Sequence, residues 1–170
     1  SSESDIKCNS ITPSHSQHVY SKDTVLTTNT TGQSRLMMVL DGASTCAVVQ
    51  DSRLCKDVKN ANLWLRTGGQ GKPNLVHCTS VGTLQIDMLT DGVHLRIDVS
   101  TRIIPGFGVN ILPECLFLSR NFQVNKSGRK LSICTPDGKT VLRAEAMKHE
   151  QNWLFYCPVT INTGPTATLN

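Results

Sequence analysis

The residues whose types and spacing could carry chemistry lie where a short apolar run ends at an acid. Residues 36–40 are Leu, Met, Met, Val and Leu, and Asp41 follows them directly. A continuous apolar run of this length predicts a buried strand, so we expect the carboxyl group of Asp41 at the edge of a core. Burial raises the pKa of a carboxyl group unless hydrogen bonds or a positive charge offset the loss of water.

The turn after Asp41 consists of small residues, which are Gly42, Ala43, Ser44 and Thr45. Small side chains let the backbone come close to the acid, so that its oxygens can accept hydrogen bonds from amide groups. A catalytic carboxylate loop needs this arrangement. An Asp-Gly pair after a strand is also a common ordinary turn, so the pattern alone leaves both interpretations open.

The elements that would position this loop are mostly short strands. Residues 81–88 and 93–99 alternate apolar and polar side chains, which predicts two half-buried strands. The turn residues 90–92 between them predict a hairpin, and Pro136-Asp137-Gly138 predicts a second one. Further strands are expected at 46–49, 63–65, 103–104, 122–124 and 153–156. Residues 110–118 predict one short helix with Pro113 in its first turn, and this combination is typical of an all-β, barrel-like fold.

Three further features follow Asp41 in a fixed order. They are the glycine-rich residues 68–71, the segment Ser-Val-Gly-Thr-Leu at 80–84, and Val-Asn-Ile-Leu at 109–112 before the apolar residues 116–118. In this order they resemble the retropepsin family of aspartic proteases, and within it the copia-type retrotransposon proteases. The resemblance spans roughly residues 35–158, where Asn-Trp-Leu-Phe-Tyr at 152–156 resembles the family's aromatic end.

The resemblance implies a fold and a division of the chain. The fold would be a closed all-β barrel with one short helix, acting as a homodimer. Residues 1–34 would be a flexible lead, 35–125 the protease domain, 126–158 a short C-terminal β extension and 159–170 a tail.

The resemblance also implies a mechanism without a metal or organic cofactor. Asp41 would be the catalytic acid, and two copies of it would meet across a two-fold axis and share one proton. Gly42, Ala43, Ser44 and Thr45 would form the active-site loop. Gly68, Gly69, Gln70 and Gly71 would form a flap over a polypeptide substrate, which the resemblance identifies as the chain's own polyprotein. The expected location is cytoplasmic, including virus-like particles.

One position departs from the family pattern. The family has Ser or Thr directly after the Asp and then Gly, whereas Gly42 follows Asp41 here. The hydroxyl group that braces the family's loops is therefore missing at position 42, and Ser44 or Thr45 could replace it. This departure keeps a second function open, a protease-like fold that no longer cuts and acts as a dimerisation or binding module. An unrelated β-rich binding domain is the third alternative.

The composition excludes several other functions. The chain has 170 residues, 18% charged, with a net charge of +4, and its scattered basic residues do not form the cluster typical of a nucleic-acid-binding protein. No apolar run approaches the roughly 20 residues of a membrane span. The seven cysteines are widely spaced and lack a Cys-x-x-Cys pair, which favours reduced, half-buried thiols over a metal or redox site.

Overall fold

The structure, a computed structural model, describes residues 5–8, 25–28, 32–68, 74–90 and 92–163, which are nearly all β. In chain order the strands are β1 (Asp5–Cys8), β2 (Val25–Thr28), β3 (Gln33–Asp41), β4 (Ala47–Val49), β5 (Lys56–Thr67), β6 (Asn74–Thr90), β7 (Val93–Ile103), β8 (Ile111–Pro113), β9 (Gln123–Ser127), β10 (Lys130–Cys134), β11 (Thr140–His149) and β12 (Asn152–Asn162). The described residues also form a 3₁₀ turn, Ser52–Leu54, and one α-helix, α1 (Cys115–Leu118). No helix in these ranges is long and apolar enough to cross a membrane.

The strands belong to one sheet with the order β1-β5-β6-β7-β4-β8-β3-β12-β11-β10-β9, and β2 pairs with β3. The first part of β12 pairs with β11, and its second part pairs with β3 and, at Thr160 and Ile161, with β6. The strands β6, β7, β4, β8, β3 and β12 therefore form a ring, which the two-residue pairing between β12 and β6 closes. The all-β prediction is confirmed. The expected simple closed barrel is not confirmed, because the closing contact is short. The neighbouring strands β1 and β5 at one end of the order, and β11, β10 and β9 at the other end, lie outside the closed part.

The centre of the sheet consists of two interlocked parallel pairs. β3 runs parallel to β8, and β4 runs parallel to β7. β4 and β8 join these pairs through an antiparallel contact between Val48 and Ile111. Parallel strands are usually buried on both faces and have continuous apolar sequences, which explains the uninterrupted run before Asp41.

Both faces of β3 contribute to the core. Leu36, Met38 and Leu40 belong to the larger cluster of buried apolar side chains, whereas Val39 belongs to a second cluster on the other face. Burying each of these side chains contributes about 1.5–3 kcal/mol to stability. The end of β3, and with it Asp41, is therefore fixed by packing from two sides.

Both predicted hairpins are present. β6 and β7 pair antiparallel up to Thr90 and Val93. β10 and β11 are joined by a turn in which Gly138 donates a backbone hydrogen bond to the Thr135 carbonyl, with an N···O distance of 2.9 Å. The turn residues predicted in the sequence therefore lie where the chain reverses.

The tail expected at residues 159–170 is wrong at its start. β12 continues to Asn162, and Val159 and Ile161 are buried against β3 and the closing contact. Their Thr- and Asn-rich surroundings suggested a tail, but apolar residues two positions apart are also the pattern of a half-buried strand. Residues 164–170 lie outside the described part.

The helix also begins later than predicted. Ile111, Leu112 and Pro113 form β8 beside the end of β3, so Pro113 lies in a strand and not in the first helical turn. Proline has no amide proton, and the next residue, Glu114, donates to the Asp41 carbonyl at 3.0 Å instead. Pairing with β3 therefore takes residues that local spacing assigned to the helix.

Candidate functional site

Asp41 lies at the end of β3 with only 8% of its surface exposed. Its Oδ1 atom accepts a hydrogen bond from the Ala43 amide at 3.0 Å, and the Ser44 amide also donates to the carboxyl group. Its Oδ2 atom is buried and has no hydrogen-bond partner within the described part of the chain. A buried carboxylate oxygen without a partner is costly, so this atom is suited to hold a proton or to meet a group from outside the chain.

The electrostatic surroundings of Asp41 favour a protonated state more than water does. Burial is the largest cause and raises the pKa of Asp41, while the amides of Ala43 and Ser44 lower it in part. The like charge of Glu114 raises this pKa further, and the positive charge of Lys126 lowers it. The net effect is a pKa above the ordinary value for aspartate, and shifted carboxyl groups of this kind are common at functional sites.

A second buried acid shows how different this environment is. The Asp87 side chain accepts hydrogen bonds from Arg96 at 2.6 Å and from Gln33 at 3.3 Å, with His94 at 3.6 Å. Burial acts to raise its pKa, but these donors outweigh burial and leave the pKa below its ordinary value. Asp87 is therefore a satisfied structural acid, whereas Asp41 keeps a buried oxygen without a partner in the described residues.

Glu114 brings a second carboxyl group close to Asp41. It follows β8, and its side chain is 9% exposed. Its Oε2 atom lies 3.4 Å from Nζ of Lys126, which projects from β9. Two acids and one base thus come together from three parts of the chain.

These groups share a cleft of about 370 Å³. Its walls are the end of β3, Glu114, Lys126 and residues 152–155 at the start of β12. Nζ of Lys126 lies 5.6 Å from the centre of the Phe155 ring, a distance at which cations are attracted to aromatic faces. The cleft therefore combines titratable groups with an aromatic wall.

Asn110 fixes the strands that carry this cleft. Its side-chain oxygen accepts from the Gln50 amide at 3.0 Å, and its Nδ2 donates to the Met37 carbonyl at 3.4 Å. Its own carbonyl accepts from the Val39 amide at 2.7 Å. Asn110, directly before β8, thus ties β3 to the residue that follows β4.

The predicted loop residues surround Asp41 closely. Ser44 is buried, and its hydroxyl group donates to the Cys46 carbonyl at 2.9 Å, so it braces the turn within its own chain. Thr45, Gly42 and Ala43 are exposed. A role of this loop in catalysis stays a prediction.

The predicted flap lies largely outside the described residues. Gly68 follows β5, but Gly69, Gln70 and Gly71 are not among the residues that the structure describes. The flanking strands β5 and β6 pair as a hairpin up to Thr67 and Asn74. In the described ranges neither of these strands lines the Asp41 cleft, so a flap over the site stays a prediction.

Glu114 and Lys126 were not anticipated from the sequence. Glu114 carried the same signal as Asp41, an acid directly after an apolar run, here Ile111, Leu112 and Pro113. Lys126 lies in the polar stretch 125–130 and has no comparable signal. Its place beside Glu114 depends on the position of β9 at the end of the sheet order.

Other kinds of chemistry find less support. Among the described residues no group of three or more His, Cys, Asp or Glu side chains could hold a metal ion. The six cysteines whose side chains the structure describes are free, and burial raises the pKa of Cys55 and of Cys157 to about 12. These two thiols therefore remain protonated at neutral pH and are poor nucleophiles.

A cavity larger than the Asp41 cleft lies elsewhere. It has a volume of about 670 Å³ and lies on β9–β12, with a mainly apolar lining that includes Leu131, Met147 and Tyr156. Its lining does not include Asp41, so cavity size and acid chemistry mark different places on this molecule.

Known families and curated proteins give no independent assignment. The chain matches no protein-family model, and no curated protein matches it.

Proposed function

We propose that this chain is an aspartic endopeptidase of the retropepsin type, which cleaves a polypeptide, its own polyprotein, as a homodimer. The observation that carries the proposal is the Asp41 carboxyl group. One of its oxygens is held by amides of a small-residue turn, and the other is buried in a cleft without a partner among the described residues. Burial and Glu114 favour a bound proton there, and an acid–base catalyst needs a carboxyl group that can hold and release a proton.

The reaction requires two carboxyl groups in different protonation states. Two neighbouring acids share one proton, because both cannot ionise easily at a short distance. The ionised carboxyl takes a proton from a water molecule, which attacks the scissile carbonyl, and the protonated carboxyl donates its proton to the carbonyl oxygen. The proposal supplies the second acid from Asp41 of another copy, since a two-fold axis brings identical positions together.

The test is a cleavage assay with a matched pair of variants. Asp41→Asn keeps the shape of the side chain and removes its acid, and we expect cleavage to fall by a factor of about 10²–10⁴ or more. The control is Asp98→Asn, because Asp98 is exposed on β7 and far along the sheet order from β3. Unchanged cleavage in Asp41→Asn would show that another group carries the reaction.

The dimer is tested separately by analytical ultracentrifugation beside the same assay. Activity per chain should fall when the protein is diluted below its dimer dissociation constant. A pepstatin-type inhibitor should block cleavage and stabilise the dimer. A strictly monomeric protein that still cuts would contradict the shared site.

A second candidate function is a protease-like binding module that does not cut. The observation that favours it is the Glu114–Lys126 pair, which already fills part of the cleft beside Asp41. In this case the protein would bind peptide in the cleft without hydrolysing it. Mass spectrometry of a peptide that binds the wild-type chain in isothermal titration distinguishes the two functions, because a protease cuts the bound peptide and a binding module leaves it intact.

A further inference from the structure

Gly42 provides space for another side chain. Its φ angle is not among the positive values in the structure, so the backbone conformation does not require glycine. A Cβ atom built on Gly42 would overlap Oε2 of Glu114 and come within 3.4 Å of its Cδ. The absence of a side chain at position 42 therefore allows the Glu114 carboxylate to lie against the turn that follows Asp41.

Lys126 and the backbone of Glu114 hold the carboxylate in this position. Lys126 lies 3.4 Å from Oε2 and half-exposed at the rim of the cleft, and the ring of Phe155 lies next to the lysine ammonium group. The Glu114 amide is also fixed, through its hydrogen bond to the Asp41 carbonyl. A buried carboxylate with a positioned cation is stable in this geometry, whereas removal of either partner leaves the other uncompensated.

The charges that face Asp41 are few. Glu114, after β8, opposes ionisation of Asp41, and Lys126, from β9, favours it. β12 contributes residues 152–155 to the cleft, and none of these titrates. One acid and one base therefore act on Asp41 in opposite directions within the described cleft.

We propose that Glu114 and Lys126 act as positioning residues that set the proton occupancy of Asp41, through the space that Gly42 leaves open. The pair holds an acid and a base beside the carboxyl group, and the balance between them shifts the pH at which Asp41 gives up its proton. Its effect on cleavage rests on the proposed function, but its effect on the titration of Asp41 does not.

The first test follows the Asp41 carboxyl carbon by NMR in protein with ¹³C-labelled aspartate, and the Asp41→Asn variant assigns the signal. Glu114→Gln removes the like charge and should move the titration of Asp41 to lower pH. Lys126→Gln removes the favourable charge and should move it to higher pH. A purely structural role of the pair would not produce shifts of opposite sign.

The chain offers a matched control pair. Lys130 and Glu145 are exposed neighbours across β10 and β11 and do not line the Asp41 cleft. Lys130→Gln and Glu145→Gln make the same changes of charge and should leave the Asp41 titration in place. Shifts in the same direction for Glu114→Gln and Lys126→Gln, or shifts no larger than those of the controls, would overturn the proposal. If Glu114→Gln does not fold, the half-exposed Lys126 still provides the test.

A second test uses the space beside Gly42. Gly42→Ala should displace the Glu114 carboxylate and move the Asp41 titration in the direction of Glu114→Gln. In a Glu114→Ala background the same substitution should have no further effect, because there is no carboxylate left to displace. An equal effect of Gly42→Ala in both backgrounds would show that the space at position 42 is unrelated to Glu114.

The cleavage assay then separates this inference from the proposed function. If the protein cuts, the acid side of its pH–rate profile should move to lower pH in Glu114→Gln and to higher pH in Lys126→Gln. A profile that does not move would overturn the link to catalysis. If the protein does not cut while the NMR shifts have opposite signs, the inference holds and the proposed function fails.

Discussion

Replacing Asn110 with alanine should lower the free energy of unfolding by about 2–3 kcal/mol. The change removes the acceptor of the Gln50 amide and the donor to the Met37 carbonyl. Each buried polar group that loses its partner costs about 1–3 kcal/mol. Two such groups give a range of about 2–6 kcal/mol. Gln50 and Met37 are partly exposed, so water can partly replace the lost side chain and the total lies in the lower part of that range.

A loss of this size is large beside the roughly 5–15 kcal/mol of a typical domain. It should appear in urea unfolding followed by fluorescence of Trp64 and Trp153, as a lower midpoint with an unchanged slope. The control is Asn60→Ala, because Asn60 is exposed on β5 and such changes usually stay within about 0.5 kcal/mol. A loss in Asn110→Ala no greater than in the control would refute the role of Asn110 as the tie between these strands.

The isosteric variant Asn110→Asp separates the two hydrogen bonds. Aspartate keeps the acceptor for Gln50 but places a negative oxygen against the Met37 carbonyl. Protonation turns that oxygen into a donor, so the stability gap to wild type should be smaller at pH 4 than at pH 7. A gap that widens in acid would contradict the hydrogen-bond assignment.

Three further predictions concern other parts of the sheet. The pKa of Asp41 is raised by folding above the reference value of 3.8. The favourable contribution of Asp41 to folding stability therefore exists below that pH and is lost as pH rises through the folded pKa. Asp41→Asn should melt at a higher temperature than wild type at pH 7, and this difference should vanish near pH 3. The pKa of Asp87 is lowered by folding, so its contribution is lost as pH falls through a value below 3.8, and Arg96→Gln should make thermal stability less dependent on pH on the acid side. In Gly82→Ala the new Cβ would lie 2.8 Å from Cβ of Cys55, and urea unfolding should show a loss of about 1–3 kcal/mol, whereas a neutral result would show that the strand can shift.

Local sequence patterns were sufficient for most strands and both hairpins. Alternation at 81–88 and 93–99 predicted β6 and β7, because one face of each packs on the core and the other meets solvent. The turns at 90–92 and 136–138 predicted the reversals, because Gly, Asp and Pro favour turn backbones. Strand β8 was missed, because the spacing of apolar residues at 110–118 also fits a helix and only the ladder with β3 distinguishes the two.

The sequence by itself determined that Asp41 ends a buried strand and enters a turn of small residues. Both properties are local, because a continuous apolar run predicts burial and small residues permit amides to approach a carboxyl group. The tertiary structure alone decided which groups face that carboxyl. Glu114 and Lys126 are distant in sequence, and they meet Asp41 because β8 pairs with β3 while β9 passes beside the same cleft. Alternation tells which side of a strand is buried but not which strand lies next to it. From the sequence alone, Gly42 was therefore only a position without the family's hydroxyl group. In the structure, the missing side chain of Gly42 leaves the space that the Glu114 carboxylate occupies.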